Sequence, residues 1–194
     1  MFDVQRSMFN HPIQFLSGPL ILRALTPEDT PALLAFFNSH DEETIRMRYG
    51  HYRNEMTIDA AKRLTSVDQS RDPALALFTT GRHPEIRAIG RYYLDESGSS
   101  GEAAFVVHEK ARRNGLAGFL LGELAVLASE RGLKELWGTV LPDNHGMAAL
   151  FLSAGGTETT SPIDEEKVFH LPLDRLLRWR KKFLTAKNIH PVTP

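Results

Sequence analysis

The segment from residue 103 to residue 141 constrains the fold of this chain most strongly. Ala103–Val107 and Leu136–Leu141 are short, mostly apolar runs that are typical of β-strands. Between them, Asn114–Arg131 carries leucines at helical spacing and is followed by Gly132, where a helix C-cap belongs. A strand, a helix and a second strand in one sheet form a right-handed crossover with parallel strands. We therefore predict one β-α-β unit at the centre of the fold.

The remaining strand patterns are joined mainly by short turns. Ile13–Leu16 and Leu20–Leu25 flank a Ser-Gly-Pro turn, and the polar, glycine-rich Asp95–Gly101 is typical of a hairpin turn. Further strands are predicted at Ala74–Thr79, Ile86–Leu94 and Lys167–Leu171, and helices at Thr26–Asn38, Asp41–Arg48, Thr57–Val67, Asn144–Ala154 and Asp174–Ala186. This order of elements predicts an α/β or α+β fold with a mixed sheet in which most neighbouring strands are antiparallel.

Composition excludes several classes of function. The chain has 194 residues, no cysteine, and a formal net charge of -1 from 23 basic and 24 acidic residues. Disulfides and thiolate chemistry are therefore absent, and the charge balance argues against binding nucleic acid. No apolar run approaches the roughly 20 residues that span a bilayer, and the N-terminal residues lack the apolar core of a signal peptide. We expect a cytoplasmic protein without a membrane partner.

The segment Val106–Ala117 has the features of an anion-binding loop. A strand ends, a short loop follows, and a long helix begins at or near Asn114. The first turn of a helix has unpaired backbone N–H groups and the positive end of the helix dipole. Gly115 allows a phosphate to approach the backbone, and Arg112 and Arg113 add positive charge. Physical reasoning leaves two interpretations open, a diphosphate site or a surface turn with solvated arginines.

Two other phosphate motifs are absent from this segment. It lacks the Gly-Lys-Ser/Thr ending of a nucleotide triphosphate loop and the Gly-x-Gly-x-x-Gly of a dinucleotide fold. Gly118 and Gly122 lie four residues apart on the helix, so we assign them to close helix packing.

The loop and its context resemble a known family. Arg112-x-x-Gly115-x-Ala117 fits the Arg/Gln-x-x-Gly-x-Gly/Ala signature of the GNAT superfamily of N-acetyltransferases. The order of elements around it is also similar, from about Ile13 to Leu173. A narrower resemblance, to the acetyltransferase domain of bacterial Pat-type protein-lysine acetyltransferases, rests on three segments: Leu20–Phe37, Arg46–Tyr49 and Asn144-x-x-Met147.

This resemblance implies a domain plan and a cofactor. It implies an N-terminal extension at residues 1–12, an acetyltransferase domain at 13–173, and a C-terminal helix and tail at 174–194 that pack on the domain. The fold would be of the GNAT type, with strands that splay apart at a slot for acetyl-CoA, the acetyl donor. The residues that would contact the cofactor are Phe105, Val106, Val107, Arg112, Arg113, Asn114, Gly115, Leu116, Ala117, Gly118 and Asn144. For Asn144, a plain helix N-cap is an equally good interpretation.

The resemblance also implies a general base. Pat-type enzymes carry a glutamate at the position of Glu102, just before the cofactor-binding part of the strand. The alternative is an exposed glutamate in a polar turn. Many relatives place a tyrosine on the helix after Asn144 to protonate the leaving thiolate, but here that helix carries Phe151 and no hydroxyl at Ala149–Leu152. Solvent or another group would then protonate the thiolate.

Other polar residues are weaker candidates. Tyr49 and His51 lie where the superfamily borders its acceptor site, so they are candidates to line it. His108 is expected to face solvent. The eight histidines show no close pair with ligand spacing and an acidic partner, so we predict no metal site.

Two classes of function remain at this stage. The first is an enzyme that acetylates a primary amine, either a small molecule or a protein lysine. The second is a non-catalytic module that binds acetyl-CoA as a sensor or scaffold, an interpretation that the missing tyrosine keeps open. The sequence is compatible with a homodimer.

Overall fold

The structure, a computed structural model, describes residues 10–49, 56–160 and 167–192. The strands in these ranges are β1 (Pro12–Phe15), β2 (Gly18–Ala24), β3 (Ala74–Thr79), β4 (Ile86–Leu94), β5 (Ser100–Val107), β6 (Glu135–Val140), β7 (Thr157–Thr160), β8 (Lys167–Pro172) and β9 (His190–Pro191). The α-helices are α1 (Thr30–Asn38), α2 (Glu42–Tyr49), α3 (Ile58–Thr65), α4 (Leu116–Glu130), α5 (His145–Ser153) and α6 (Leu173–Ala186).

The strands form one open sheet in the order β7-β8-β6-β5-β4-β3-β2-β1-β9. Its neighbours pair in antiparallel fashion, except that β5 and β6 are parallel and connected through α4. The predicted fold class and the β-α-β unit are thereby confirmed. Two edge strands, β7 and β9, were not predicted, because β7 is a run of polar residues and β9 is only two residues long.

Each face of the sheet is covered by its own apolar cluster. One face carries α1 and α3, whose Leu33, Phe36 and Ala61 pack with Ala76 and Phe78 of β3. The other carries α4, and its cluster includes Ala103 and Phe105 of β5. Since side chains alternate along a strand, Glu102, Ala104 and Val106 point to the α1–α3 face.

Helix α4 is buried on nearly all sides because α6 covers its outer surface. The predicted close packing at two glycines is confirmed: a Cβ at Gly118 would lie 2.5 Å from the Phe183 ring, and one at Gly122 would lie 2.8 Å from Cγ of Arg180. Arg180 also forms an ion pair with Glu123, which is 1% exposed. The segment after α6 then pairs as β9 with β1. The C-terminal segment is thus part of the layered structure.

No helix in the described ranges is long and apolar enough to cross a membrane.

Candidate active site

A slot opens where β5 and β6 stop pairing. The two strands are joined at three positions, from Ser100 opposite Glu135 to Glu102 opposite Trp137. Beyond these positions β6 pairs only with β8, and β5 pairs only with β4 up to Val107. The edge of β5 that faces the slot therefore has backbone N–H and C=O groups free to bind a ligand. The predicted splay of the strands is confirmed.

The loop after β5 brings backbone donors to one end of the slot. Gly115 has a φ of +83° and is the N-cap of α4, without a side-chain capping bond. The first backbone bond into this helix runs from the Phe119 amide to the Gly115 carbonyl. The amides of Leu116, Ala117 and Gly118 consequently lack an acceptor within the helix, as expected for an anion-binding helix end.

Slot and loop together border one cavity of about 680 Å³, a size typical of cofactor sites. Of the residues predicted to contact the cofactor, those that line it are Phe105, Val106, Val107, Arg112, Arg113, Gly115, Leu116, Ala117, Gly118 and Asn144. Asn114 does not line the cavity: its side-chain amide donates hydrogen bonds to the carbonyls of Ala111 and Arg112 and so braces the loop.

Asn144 is the N-cap of α5, and it also lies at the cavity. Its side-chain oxygen accepts a hydrogen bond from the Met147 amide at 3.2 Å, which caps α5, and the residue also lines the cavity.

Helix α2 forms the opposite wall, and one polar contact ties it to the loop while another ties it to the start of α5. The Arg112 guanidinium donates a hydrogen bond to the Thr44 hydroxyl. Arg46 forms an ion pair with Asp143 at the start of α5, and this arginine holds the pKa of the Asp143 carboxyl below its usual value. These contacts fix the distance between the walls of the cavity.

Glu102 lies at the last paired position of β5, where the slot begins. It is partly buried and stands opposite Tyr93 of β4. Within the described ranges, no hydrogen bond or ion pair engages its carboxylate. The carboxylate therefore has no polar partner among the described residues.

Comparison with known proteins identifies the family. The model of the acetyltransferase (GNAT) domain family matches residues 19–157. The chain belongs to the GNAT acetyltransferase family.

Solved structures agree with this assignment. The GNAT domain of S. lividans PAT is 26% identical over 83% of this chain and 95% of that one, with a TM-score of 0.76. An N-acetyltransferase from Staphylococcus aureus Mu50 shares the fold at 18% identity, 79% and 98% coverage, and a TM-score of 0.63. A cAMP-binding acyltransferase from Mycobacterium smegmatis matches 90% of this chain over 54% of its own length, at 21% identity and a TM-score of 0.57.

The C-terminal helix adds residues to this GNAT site that sequence reasoning missed. Phe183 and Lys187 line the cavity beside the loop, with Cγ of Lys187 3.7 Å from the position of a Cβ on Gly115. Both residues follow the segment that the family model matches. The basic, amphipathic character of α6 was visible in the sequence, but it indicated a helix that covers the core with a solvated face or contacts acidic partners, and no cofactor contact.

Helix α5 carries no tyrosine, and its Phe151 is buried. Phe151 is 1% exposed, and its ring lies 6.3 Å from that of Phe105 and 5.6 Å from that of Phe169. This position belongs to the apolar core. Two residues were candidates to line the acceptor site. His51 lies outside the described residues. Tyr49 is the last residue of α2, but its side chain is outside the part that the structure describes.

The prediction that His108 faces solvent is wrong. The residue is 7% exposed because the end of α1 covers it, and its ring lies 5.5 Å from that of His40. Ligand atoms of His40, His108 and Glu109 lie within 4.8 Å of one another, so the structure brings together an acidic partner and two histidines that are distant in sequence.

The hydrogen bonding of His108 limits what this cluster can bind. Its Nδ1 accepts a hydrogen bond from the Lys110 amide at 3.2 Å. Neutral His108 must then carry its proton on Nε2, which leaves that ring without a free lone pair for a metal ion. Burial, and next the neighbouring His108, lower the pKa of His40 to about 4. His40 is therefore neutral at pH 7, with a buried Nε2 that has no hydrogen-bond partner among the described residues.

We expect this buried imidazole to weaken the fold in acid. The ring titrates near 6.5 when unfolded and near 4 when folded. Between these values the unfolded state binds the additional proton, so stability falls as the pH drops. A His40→Phe variant keeps the edge contact with Phe36. Between pH 7 and pH 4.5 its free energy of unfolding should fall by about 1 to 3 kcal/mol less than that of the wild type. Urea unfolding at the two pH values measures this; equal losses in both proteins would show that His40 is not the acid-sensitive group.

Proposed function

We propose that this chain transfers the acetyl group of acetyl-CoA to a primary amine, with Glu102 as general base. The observation that carries the proposal is the arrangement of the site: unpaired helix amides and the unpaired edge of β5 border one cavity, and Glu102 lies on the same strand, three residues before Phe105, which lines that cavity. Family membership supports the acetyl donor and the reaction class.

In this proposal the cofactor is held mainly by backbone groups. The amides at the start of α4 bind the diphosphate, with Arg112, Arg113 and Lys187 supplying positive charge around it. The unpaired edge of β5 bonds the pantetheine arm, as an added strand would. This places the thioester near the end of the slot, beside Glu102.

The amine must lose a proton to attack. A lysine amine with pKa ~10.4 is neutral in roughly one molecule per thousand near pH 7.4, which costs about 4 kcal/mol. Glu102 accepts this proton directly or through one water, and the nitrogen adds to the thioester carbonyl. A backbone amide of Val106 or Phe105 stabilises the oxyanion. The C–S bond then breaks, the nitrogen releases its second proton to solvent as the amide product forms, and solvent protonates the departing thiolate.

An acceptor screen tests this proposal. Purified chain, acetyl-CoA and a panel of small amines and lysine-containing proteins should release free thiol with matching acetylation of one acceptor by mass spectrometry. Cofactor binding without turnover across the whole panel would instead support the non-catalytic module.

Lys187 provides a separate test of how the cofactor lies. We expect Lys187→Met to weaken CoA binding about tenfold at low ionic strength, and less at high salt, because one exposed positive charge is removed from the diphosphate end. Calorimetric titration measures the change. Lys182→Met is the matched control, since Lys182 is exposed on α6 and does not line the cavity.

Dephospho-CoA then locates the contact of Lys187. If Lys187 binds the diphosphate, the loss should be the same with dephospho-CoA; if it binds the 3′-phosphate, the loss should vanish. Equal weakening by Lys182→Met would show that only net charge matters and that α6 does not border the cofactor.

A further inference from the structure

A buried arginine lies on the α1–α3 face of the sheet and has no acidic partner among the described residues. Arg91 of β4 is 5% exposed. Its Nη1 donates to the Tyr93 hydroxyl at 3.4 Å and its Nη2 to the Leu64 carbonyl at 3.3 Å, both long for hydrogen bonds. No carboxylate pairs with Arg91 within the ranges that the structure describes. A guanidinium has five donors, and a buried charge is costly unless it is paired, so this group is poised for an anion.

The guanidinium borders a second, smaller cavity. This cavity has a volume of about 50 Å³ and lies between β4, β5 and the helices α1 to α3. Arg91, Tyr93 and the neutral His40 supply its polar groups, and the rest of its wall is apolar. On this measure it has room for roughly three or four waters, enough for a carboxylate or another small oxyanion.

The small cavity adjoins the reaction centre. Tyr93 stands opposite Glu102 in the sheet, and Arg91 stands opposite Ala104. Residues two apart on a strand share a face and lie about 6.6 Å apart, which places Arg91 one side-chain position from the base. Val106 lines both cavities. Tyr93 is 37% exposed, so the rim beside Glu102 is open to solvent.

We propose that Arg91 binds an anionic end of the acceptor, so that the preferred acceptor is a small amine bearing a carboxylate or phosphorus oxyacid a few bonds from its nitrogen. This inference rests on the proposed acetyl transfer and adds the substrate class. The amine then lies at Glu102 while the oxyanion fills the small cavity. The Leu64 carbonyl in the last turn of α3 occupies only one guanidinium donor, so a helix-capping role leaves most of the group unexplained.

Matched pairs of acceptors test the preference in the wild-type protein. Glycine, β-alanine and 4-aminobutyrate are each compared with their neutral amides, and aminomethylphosphonate tests the phosphorus oxyacid. For at least one chain length, kcat/KM of the acid should exceed that of its amide. If every amide is the better acceptor, the proposal is wrong.

Variants assign the preference to Arg91. In Arg91→Met the ratio of acid to amide kcat/KM should fall roughly 10- to 100-fold, mainly through KM of the acid. Because the acid is compared with its amide in both the wild type and the variant, differences in the intrinsic basicity of the two amines cancel. Arg91→Lys should recover only part of the preference for the acid, because lysine lacks the planar fork that binds a carboxylate through two bonds. Arg87→Met is the control: it removes a positive charge from the same strand, where Arg87 pairs with Glu85.

Other outcomes have definite meanings. An equal fall for acid and amide in Arg91→Met, with CoA affinity retained, would mean that Arg91 supports the fold or the base and would overturn the anion site. Binding of the N-acetylated acids to the CoA complex provides a readout apart from chemistry, expected in wild type and lost in Arg91→Met. Failure of these products to bind wild type contradicts the anion site alone, whereas absence of turnover with every amine and protein contradicts the proposed acetyl transfer.

Discussion

Replacing Glu102 by glutamine should lower kcat by about 10²- to 10⁴-fold while leaving the affinity for acetyl-CoA unchanged. The amide has nearly the shape of the carboxylate but cannot accept the amine proton. Glu102 lies at the last position where β5 pairs with β6, away from the diphosphate loop. Its carboxylate has no hydrogen bond or ion pair with a described residue that the substitution would break. Steady-state kinetics with the best acceptor measure kcat, and calorimetry measures cofactor affinity.

A second glutamate serves as the control for charge. Glu135 lies on the neighbouring strand β6, opposite Ser100, and like Glu102 it is partly exposed. The kcat of Glu135→Gln should stay within about twofold of the wild-type value. Turnover of Glu102→Gln at the wild-type rate would remove Glu102 from the mechanism, and a rise of kcat with pH in the variant would indicate that hydroxide replaces the missing base.

Replacing Gly115 by valine should weaken CoA binding by at least about 100-fold. With a φ of +83°, Gly115 occupies a conformation that costs a side-chain-bearing residue roughly 1 to 2 kcal/mol and a β-branched residue more. Relief of that strain rotates the peptide groups that should bind the diphosphate. The new side chain would also stand against Phe183, whose Cζ lies 3.4 Å from the position of the Cβ.

The other end of the same helix offers a matched control. Gly132 follows α4 with a φ of +80°, and a Cβ there would meet nothing within 4 Å. Gly132→Val thus introduces similar backbone strain far from the cavity. It should lower the midpoint of thermal unfolding as Gly115→Val does but bind CoA with wild-type affinity. If both variants lose the cofactor equally, the effect of Gly115 is one of general stability and the diphosphate lies elsewhere.

Local sequence signals predicted much of this site. The small Gly115 indicated a helix start open to an anion, and Asn144 indicated a second helix start; both signals depend on residues within a few positions of themselves. The β-α-β unit could be predicted for the same reason, since its strands and helix each have their own hydrophobic period.

Features that depend on distant contacts could not be predicted in this way. His108 was expected to face solvent at the end of its strand, and only the packing of His40 against it shows why it is buried. Phe183 packs against Gly118, which lies 65 positions away in the sequence, so no local hydrophobic period predicts this contact. Arg91 is likewise an ordinary strand residue by pattern; its lack of an acidic partner becomes visible only when the sheet and three helices surround it.

The cover that α6 provides over α4 sets an order of events during synthesis. The diphosphate loop and Gly118 are made well before Phe183 and Lys187, which form the adjoining wall of the cavity. A nascent chain in which α6 has not yet emerged from the ribosome presents the outer side of α4, including Gly118 and Gly122, to solvent. Because a ligand stabilises only the states that bind it, a ligand of this cavity would favour chains in which α6 has already packed on α4.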